Sequence, residues 1–311
     1  MAQVIFNDDI STDKFGVRPK NDTLAIAETP ILDHGKVALL AVYGSDALIA
    51  DTARMSYGKG TKTTSSDTGL IRYLMRHRHT SPIEHAEVVF FLRVPIFVAR
   101  QLVRHRTANI NEYSARYSEL SEDYYVPQIE NIARQSEMNK QGRDASLSST
   151  DAMWVRDRID RTQHNSLRDY QALISTYDVS RELSRVVSSV GTYTEMYWKC
   201  DLHNFLHFLK LRMDSHAQYE IRVMAEAMCA CAKPFFPETF AAWEDYVLNA
   251  RTLSAMELKS IADFIKKCTY GWSVDTWSES AYPKKQASMS TREYDEFKQF
   301  MDFLNRTGEG V

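Results

Sequence analysis

The sequence has few cysteines, few glycines and no long apolar segment. Its four cysteines, Cys200, Cys229, Cys231 and Cys268, are irregularly spaced and form no CxxC pair, so neither a disulfide framework nor a zinc or redox centre is expected. The longest apolar runs, such as residues 37–43, are far shorter than the ~20 residues of a membrane-spanning helix. The 11 glycines include no GxGxxG fingerprint, so a dinucleotide is not expected to bind in Rossmann fashion.

The chain also lacks a strong charge of either sign. Its formal net charge is −3, so affinity for nucleic acid would need a local basic patch. The first residues, MAQVIFNDDISTDK, contain no apolar stretch followed by a small-residue cleavage site, so no signal peptide is predicted. With 311 residues, 44% of them hydrophobic, the chain is typical of a soluble, cytoplasmic globular protein of one or two domains.

Periodicity and capping signals predict the elements. Residues 1–35 are polar, with Pro19 and Pro30 interrupting any element, so we expect a surface extension there. Residues 135–150 are rich in serine and predict a mobile insertion or loop. The predicted strands cover residues 36–43, 88–94 and 191–199, and the predicted helices cover 45–55, 70–77, 95–106, 151–177, a segment from 179, 202–211 and 215–232. Capping-box spacing occurs at Ser215 with Gln218, Ser254 with Glu257, and Ser290 with Glu293.

The densest polar cluster follows the second predicted strand. Gln101 and Arg104 are three residues apart on a predicted helix and share a face. Glu112, Ser114 and Arg116 are spaced by two, which in an extended chain places them on one face. Guanidinium groups suit a phosphate or the carbonyl edge of a heterocycle, and Glu and Ser add an acceptor and a hydroxyl. The cluster suits a nucleotide, although a solvated charged turn is the alternative for any RHR triplet.

Three further interpretations compete at the sequence level. His203 and His207 have the spacing of metal ligands on a helix, but the zincin pattern needs Glu at position 204, which is Asn204. Cys200 lies three residues from His203, yet no third group is evident that would orient a nucleophilic pair.

Tyrosines around the basic cluster suggest the third alternative, a module that binds single-stranded nucleic acid. Tyr113, Tyr117, Tyr124 and Tyr125 could stack on bases. The acidic balance of the chain, Glu112 within the cluster and the lack of an RNA-binding signature count against it.

Residues 104–118, RHRTANINEYSARYS, resemble the signature of flavin-dependent thymidylate synthases, in which RHR is followed after seven residues by a serine, here Ser114. Asn109 stands where that family usually has a serine in the middle of the motif. HTSPIEH, residues 79–85, is similar to the family's flavin segment, and Leu211-Arg212 with HAQYEIR, residues 216–222, is similar to its substrate segment.

This resemblance implies an enzyme that methylates dUMP to dTMP with FAD as cofactor, 5,10-methylenetetrahydrofolate as carbon donor and NADPH as reductant. It implies an α+β (mixed α/β) fold, with a twisted, mainly antiparallel sheet flanked by helices, assembled as a homotetramer whose sites lie between protomers. Residues 36–245 would form the catalytic domain with the polar insertion 135–150, and residues 1–35 and 246–311 would be an N-terminal and a helical C-terminal extension. Neither a nucleic-acid nor a membrane partner is implied.

The resemblance also assigns residues. Those implied for FAD are Ser56, His79, Ser81, Glu84, Arg104, His105, Arg106, Glu112, Asp201, His203 and His207. Those implied for dUMP are Gln101, Arg104, Glu112, Ser114, Ala115 through its backbone, Arg116, Arg185 and Arg212. Arg212 is the implied catalytic residue, because an arginine against the uracil ring would stabilise developing negative charge and raise the nucleophilicity of C5. No metal and no cysteine nucleophile are implied.

Overall fold

The computed structural model describes residues 3–13, 15–20, 25–57, 66–137, 142–268 and 293–300. The chain divides into two compact units, Met1–Asn249 and Ala250–Val311. In the second unit, the described residues include a helix over Ala255–Cys268 and helical residues 293–300.

An antiparallel sheet organises the first unit. The strands are β1 (Ile5–Phe6), β2 (Ile10–Asp13), β3 (Gly16–Pro19), β4 (Ala27–Ile31), β5 (Gly35–Tyr43), β6 (Glu87–Pro95), β7 (Asn109–Glu112), β8 (Ala133–Gln135), β9 (Arg143–Ser146) and β10 (Tyr193–Asp201). The main order is β1-β4-β5-β6-β10-β7, the β2–β3 hairpin joins it through β5, and β8 and β9 form a separate hairpin. All these pairs are antiparallel, which confirms the predicted sheet type.

Helices cover or extend the sheet. They are α1 (Asp46–Arg54), α2 (Asp67–Arg76), α3 (Ile96–Leu102), α4 (Ser149–Ser175), α5 (Arg181–Ser184), α6 (Leu202–Arg212), α7 (Tyr219–Ala232), α8 (Pro237–Trp243) and α9 (Ala255–Cys268). Short 3₁₀ turns lie at Met55–Tyr57, Ile83–His85, Ile129–Asn131, Arg185–Val187 and Lys233–Phe235, and a π-helical turn lies at Glu244–Leu248. Within the described part of the chain, no helix is both long enough and apolar enough to span a membrane.

Two predicted helix starts are confirmed by their hydrogen bonds. Ser45 caps α1, where its hydroxyl accepts the Leu48 N–H at 3.3 Å. At α9, Ser254 Oγ accepts the Glu257 N–H at 3.2 Å and Glu257 Oε2 accepts the Ser254 N–H at 2.7 Å, which is a reciprocal capping box. The third box includes Ser290, which lies outside the described residues.

The core forms where α6 packs on the sheet. Alternate residues of β6 and β10 are buried, as the two-residue period of a strand requires, and they include Phe90 and Trp198. Phe205 and Phe208, three residues apart on α6, lie 5.6 Å from the Phe90 ring and 5.7 Å from the Trp198 ring respectively. These contacts fix α6 and therefore the position of Arg212 in its last turn.

The expectation of an irregular surface extension over residues 1–35 is wrong for its final part. β4 pairs with β5 along its length, and Ile26, Ala27 and Ile31 are buried. Pro30 fits in β4 because β1 reaches only Ala27 and Glu28, so no strand on that side needs a Pro30 N–H. The domain boundaries themselves stay predictions.

The expected loop over residues 135–150 is also wrong in part. Residues 133–135 and 143–146 form the β8–β9 hairpin, and α4 begins at Ser149 with Ser148 as its cap. All of β9 is exposed, so this strand is polar, and it is attached by a contact of 2.6 Å between Arg143 and Glu220 Oε1 rather than by apolar packing.

The boundaries of three predicted helices are wrong. The helix predicted over 95–106 ends at Leu102. Two turns follow, closed by bonds from the Arg104 N–H to the Gln101 carbonyl and from the His105 N–H to the Leu102 carbonyl, before the chain joins the sheet as β7. Helix α7 begins after Gln218, whose side chain makes no capping bond because it contacts two other side chains instead. The helix predicted from residue 179 is only the short α5 followed by a 3₁₀ turn.

Candidate active site

Two distant segments meet at the carboxyl end of α3. Arg212 Nε donates to His105 Nε2 at 3.0 Å, and Gln101 Nε2 donates to Gln218 Oε1 at 2.5 Å. Residues 101–105 are therefore held against residues 212–218 by two polar contacts. This junction brings together three predicted site residues, Gln101, His105 and Arg212.

His105 is a neutral imidazole in this junction. Burial, followed by the positive charges of Arg212 and His207, lowers the pKa of His105 to about 4. Since its Nε2 accepts the Arg212 bond, its proton is on Nδ1. The ring also makes a T-shaped contact with the Phe208 ring, with 4.9 Å between centroids, so it is held by two contacts.

Arg212 makes this contact through one donor, its Nε–H. Its Nε–H binds His105, and burial lowers the pKa of its guanidinium. The two terminal nitrogens of an arginine form a planar fork suited to the edge of a heterocycle or to an oxyanion. Arg104 and Arg106, the neighbours of His105 in sequence, are exposed.

A second group of predicted flavin residues lies at the start of α6. The 3₁₀ turn Ile83–His85, which contains Glu84, packs against α6, and the Leu202 N–H donates to the Ala86 carbonyl at 2.8 Å. Asp201 caps α6, because its Oδ1 accepts the Asn204 N–H at 2.9 Å. Ser81 and Glu84 are exposed near this helix start, and His203 is half-buried on it.

Three further predicted flavin residues, Ser56, His79 and His207, lie on the surface. Ser56 is exposed in the 3₁₀ turn Met55–Tyr57, and His79 is exposed with its ring 5.7 Å from that of Tyr73. His207 is exposed on α6, close enough to His105 to affect its pKa.

The residues after β7 do not share one extended face, which corrects the expectation for Glu112, Ser114 and Arg116. Glu112 ends β7 and accepts the Thr194 hydroxyl at 2.8 Å. The chain then turns, with the Ser118 N–H bonded to the Ser114 carbonyl, because pairing of β7 with β10 stops at Glu112. Ala115 in this turn is buried.

Arg116 and Arg185 are brought together by Glu182. Arg116 Nη2 is 3.4 Å from Glu182 Oε2, and Arg185 Nε donates to the Glu182 carbonyl at 3.1 Å. All three side chains are exposed. These contacts place both predicted dUMP arginines next to α5.

The cysteines whose side chains are described are not poised for nucleophilic attack. Burial raises the pKa values of Cys200, Cys229 and Cys231 to about 12, so these thiols are protonated at neutral pH.

Several residues of this region were missed by sequence reasoning. Gln218 and Glu220 lie inside the matched HAQYEIR segment. Glu220 is one helical turn before the buried Met224, and this spacing indicated that its carboxylate would be buried as well. Arg143 and Glu182 gave no such signal, because their partners are far away in sequence or are backbone atoms.

The first unit is thus an α+β domain in which arginine, neutral histidine and amide groups meet at the ends of α3 and α6, as in a protein that binds an anionic heterocyclic ligand. The family model described as "Thymidylate synthase complementing protein" matches residues 38–238. The chain belongs to this family.

Relatives and solved structures agree with this membership. Flavin-dependent thymidylate synthase of Ehrlichia ruminantium (strain Gardel) is 48% identical over 255 residues, which cover 82% of this chain and 84% of the relative. The protein of that name from Dictyostelium discoideum is 46% identical, with 75% and 79% covered. The crystal structure of the UMP/dUMP methylase PolB from Streptomyces cacaoi, bound with 5-Br UMP, matches with TM-score 0.63 and 35% identity over 70% of this chain and 96% of that chain.

Proposed function

We propose that this chain is a flavin-dependent thymidylate synthase that methylates dUMP to dTMP, with FAD as cofactor, 5,10-methylenetetrahydrofolate as carbon donor and NADPH as reductant. Relatives named for this activity are 41–48% identical to the chain over most of its length. The observation that carries the proposal is the bond between His105 and Arg212, which presents an arginine fork beside the matched signature segment.

Arg212 activates the uracil ring in this proposal. Its terminal nitrogens bind the N3 and carbonyl edge, where negative charge grows as C5 becomes nucleophilic. A donor that is already oriented stabilises this charge without reorganising during the reaction. Neutral His105 contributes by accepting the Nε–H and so holding the plane of the guanidinium. Protonated His105 could not accept that bond.

The residues present fit a bound FAD. Without a glycine-rich fingerprint, its phosphates must meet side chains, and Arg104 and Arg106 offer exposed guanidinium groups for them. We assign His203 and His207 to the same ligand, whereas the Asp201 carboxylate already occupies the start of α6 as a cap. When bound, the reduced flavin supplies the hydride that turns the transferred methylene into a methyl group.

We further propose a homotetramer whose sites are shared between protomers. Most of the assigned residues are exposed on the single chain, including Arg104, Arg116 and Arg185, although a nucleotide site is normally enclosed. The surface beside Arg185 is apolar, with Val186 75% exposed and Val190 63% exposed. Such a surface favours burial against another copy of the chain.

Complementation tests the shared site. Arg116→Ala and Arg212→Ala proteins should each be inactive, and mixed oligomers should regain activity at roughly a quarter of their sites if the two residues come from different chains. Arg104 precedes His105 in sequence and Arg212 bonds that His105 within the same chain, so this pair of variants is the matched control and should not complement. An active monomer would contradict the shared site.

The activity itself is tested by dTMP formation from dUMP, with and without FAD and NADPH. The wild-type chain should require FAD as well as NADPH. Arg168→Ala is a surface control that should behave in the same way, because Arg168 is exposed and pairs with its sequence neighbour Asp169. Wild-type protein that forms no dTMP with all components present would contradict the proposed function.

A further inference from the structure

Glu220 is a buried carboxylate with three donors around it. It lies in the first turn of α7 and is 0% exposed. Its Oε1 accepts the Tyr125 hydroxyl at 3.0 Å and the Arg143 guanidinium at 2.6 Å, and its Oε2 accepts the Gln218 amide at 2.8 Å. Burial by itself raises the pKa of Glu220, but the bond and charge of Arg143 and the Gln218 bond bring that pKa below its usual value. Glu220 is therefore ionised at neutral pH.

An ionised carboxylate determines the orientation of the amides beside it, since it can only accept hydrogen bonds. Gln218 must turn its Nε2 towards Glu220, which directs its Oε1 away. That Oε1 lies 2.5 Å from Nε2 of Gln101, so Gln101 must also act as the donor in its contact. The contact with Gln218 uses one amide hydrogen of Gln101, and its other amide hydrogen and its carbonyl oxygen take no part in that contact.

The hydrogen bonds from Glu220 through Gln218 to Gln101 form a series, and the β8–β9 hairpin fixes its buried end. Arg143 donates to the Asn131 carbonyl at 3.0 Å as well as to Glu220, so its guanidinium is held on two sides. A buried charge needs such a partner, and Arg143 supplies it. The other end of the series is Gln101, in the last turn of α3 and next to the segment that contains Arg104 and His105.

We propose that Glu220 is a positioning residue for nucleotide binding, which acts through Gln218 to hold the Gln101 amide in the one orientation that dUMP meets. The inference rests on the proposed function, because it takes Gln101 as a dUMP ligand. Glu220 acts at a distance from the nucleotide, since its side chain is fully buried.

The test removes the fixed direction of the hydrogen bonds in the series without changing its shape. Glu220→Gln lets position 220 donate or accept, so Gln218 and then Gln101 lose their fixed orientation. We expect the Kd and KM for dUMP to rise about tenfold, the difference between a charged and a neutral hydrogen bond, with kcat and FAD content near the wild-type values. The double variant Gln218→Glu with Glu220→Gln restores an acceptor-only group beside Gln101 and should recover the wild-type Kd.

Two more variants keep the test independent of folding. Gln218→Leu breaks the series but leaves Arg143 paired with Glu220, and it should also weaken dUMP binding. Tyr125→Phe removes one donor from the same carboxylate without altering any amide, so it serves as the matched control and should bind dUMP normally.

The positioning role is refuted if Glu220→Gln and Gln218→Leu bind dUMP as tightly as the wild type. It is equally refuted if the double variant is no better than Glu220→Gln, because a purely structural role would not be rescued by the exchange. The wild-type assay separates these results from the proposed function. If wild-type chain forms dTMP, failed variants contradict only the role of Glu220, and if it does not, the function itself has failed.

Discussion

Replacement of Arg212 by alanine is the sharpest test of the chemistry. The change removes the fork that we propose binds the uracil ring, and it leaves Nε2 of His105 without the donor it has at 3.0 Å. Loss of one preorganised donor in an active site costs about 10²- to 10³-fold in rate, or about 2.7–4 kcal/mol. We expect kcat for dTMP formation to fall by that factor. The half-buried imidazole left behind should lower the free energy of unfolding by only about 1 kcal/mol.

The assay is steady-state and single-turnover dTMP formation, with bound FAD measured by its visible absorbance. FAD content should persist in Arg212→Ala, because Arg104 and Arg106, the residues proposed to meet the FAD phosphates, are unchanged. Arg212→Lys keeps the charge but lacks the planar fork, so its rate should lie between those of the wild type and the alanine variant. A near-normal rate for Arg212→Ala with loss of activity in Cys200→Ser would refute the reasoning.

Four further outcomes are expected. Replacing all four cysteines by serine or alanine should leave kcat largely intact, since burial holds the described thiols protonated with pKa values of about 12; abolished turnover in a folded variant contradicts this. Arg185→Ala should weaken dUMP by about 2 kcal/mol or more in calorimetry but deoxyuridine much less, since the phosphate is its proposed partner, and equal losses would place Arg185 elsewhere. Asp46→Ala should lower the free energy of unfolding in urea by about 1–3 kcal/mol, because Asp46 accepts the Glu238 and Thr239 N–H groups at the start of α8. An unchanged midpoint of urea unfolding would contradict this. The pKa of His105 falls from 6.5 to about 4 on folding, so its contribution to stability is present above pH 6.5 and is lost as the pH falls to about 4. His105→Gln should therefore lose less stability than the wild type between pH 7 and pH 4, and parallel losses would contradict the shift.

Much of the fold could be predicted from local signals in the sequence. The strands around residues 36–43 and 88–94 follow from runs of β-branched and aromatic residues, and Ser45 caps its helix with atoms three residues away. The matched motifs identified the family and implied Gln101 and Arg212 for dUMP and His105 for FAD, because such motifs hold residue types at fixed spacing. These inferences need only neighbours along the chain.

Tertiary structure decided what those neighbours could not. After α3 ends at Leu102, residues 109–112 pair as an edge strand with β10, a partner that begins far along the chain. Pro30 sits in a strand because β1 does not reach it. The bond between His105 and Arg212 spans 107 residues, and that between Arg143 and Glu220 spans 77. Contacts at such separations depend on how helices pack on the sheet, so the sequence determined the chemistry of the site's residues, whereas the packed chain decided which of them touch.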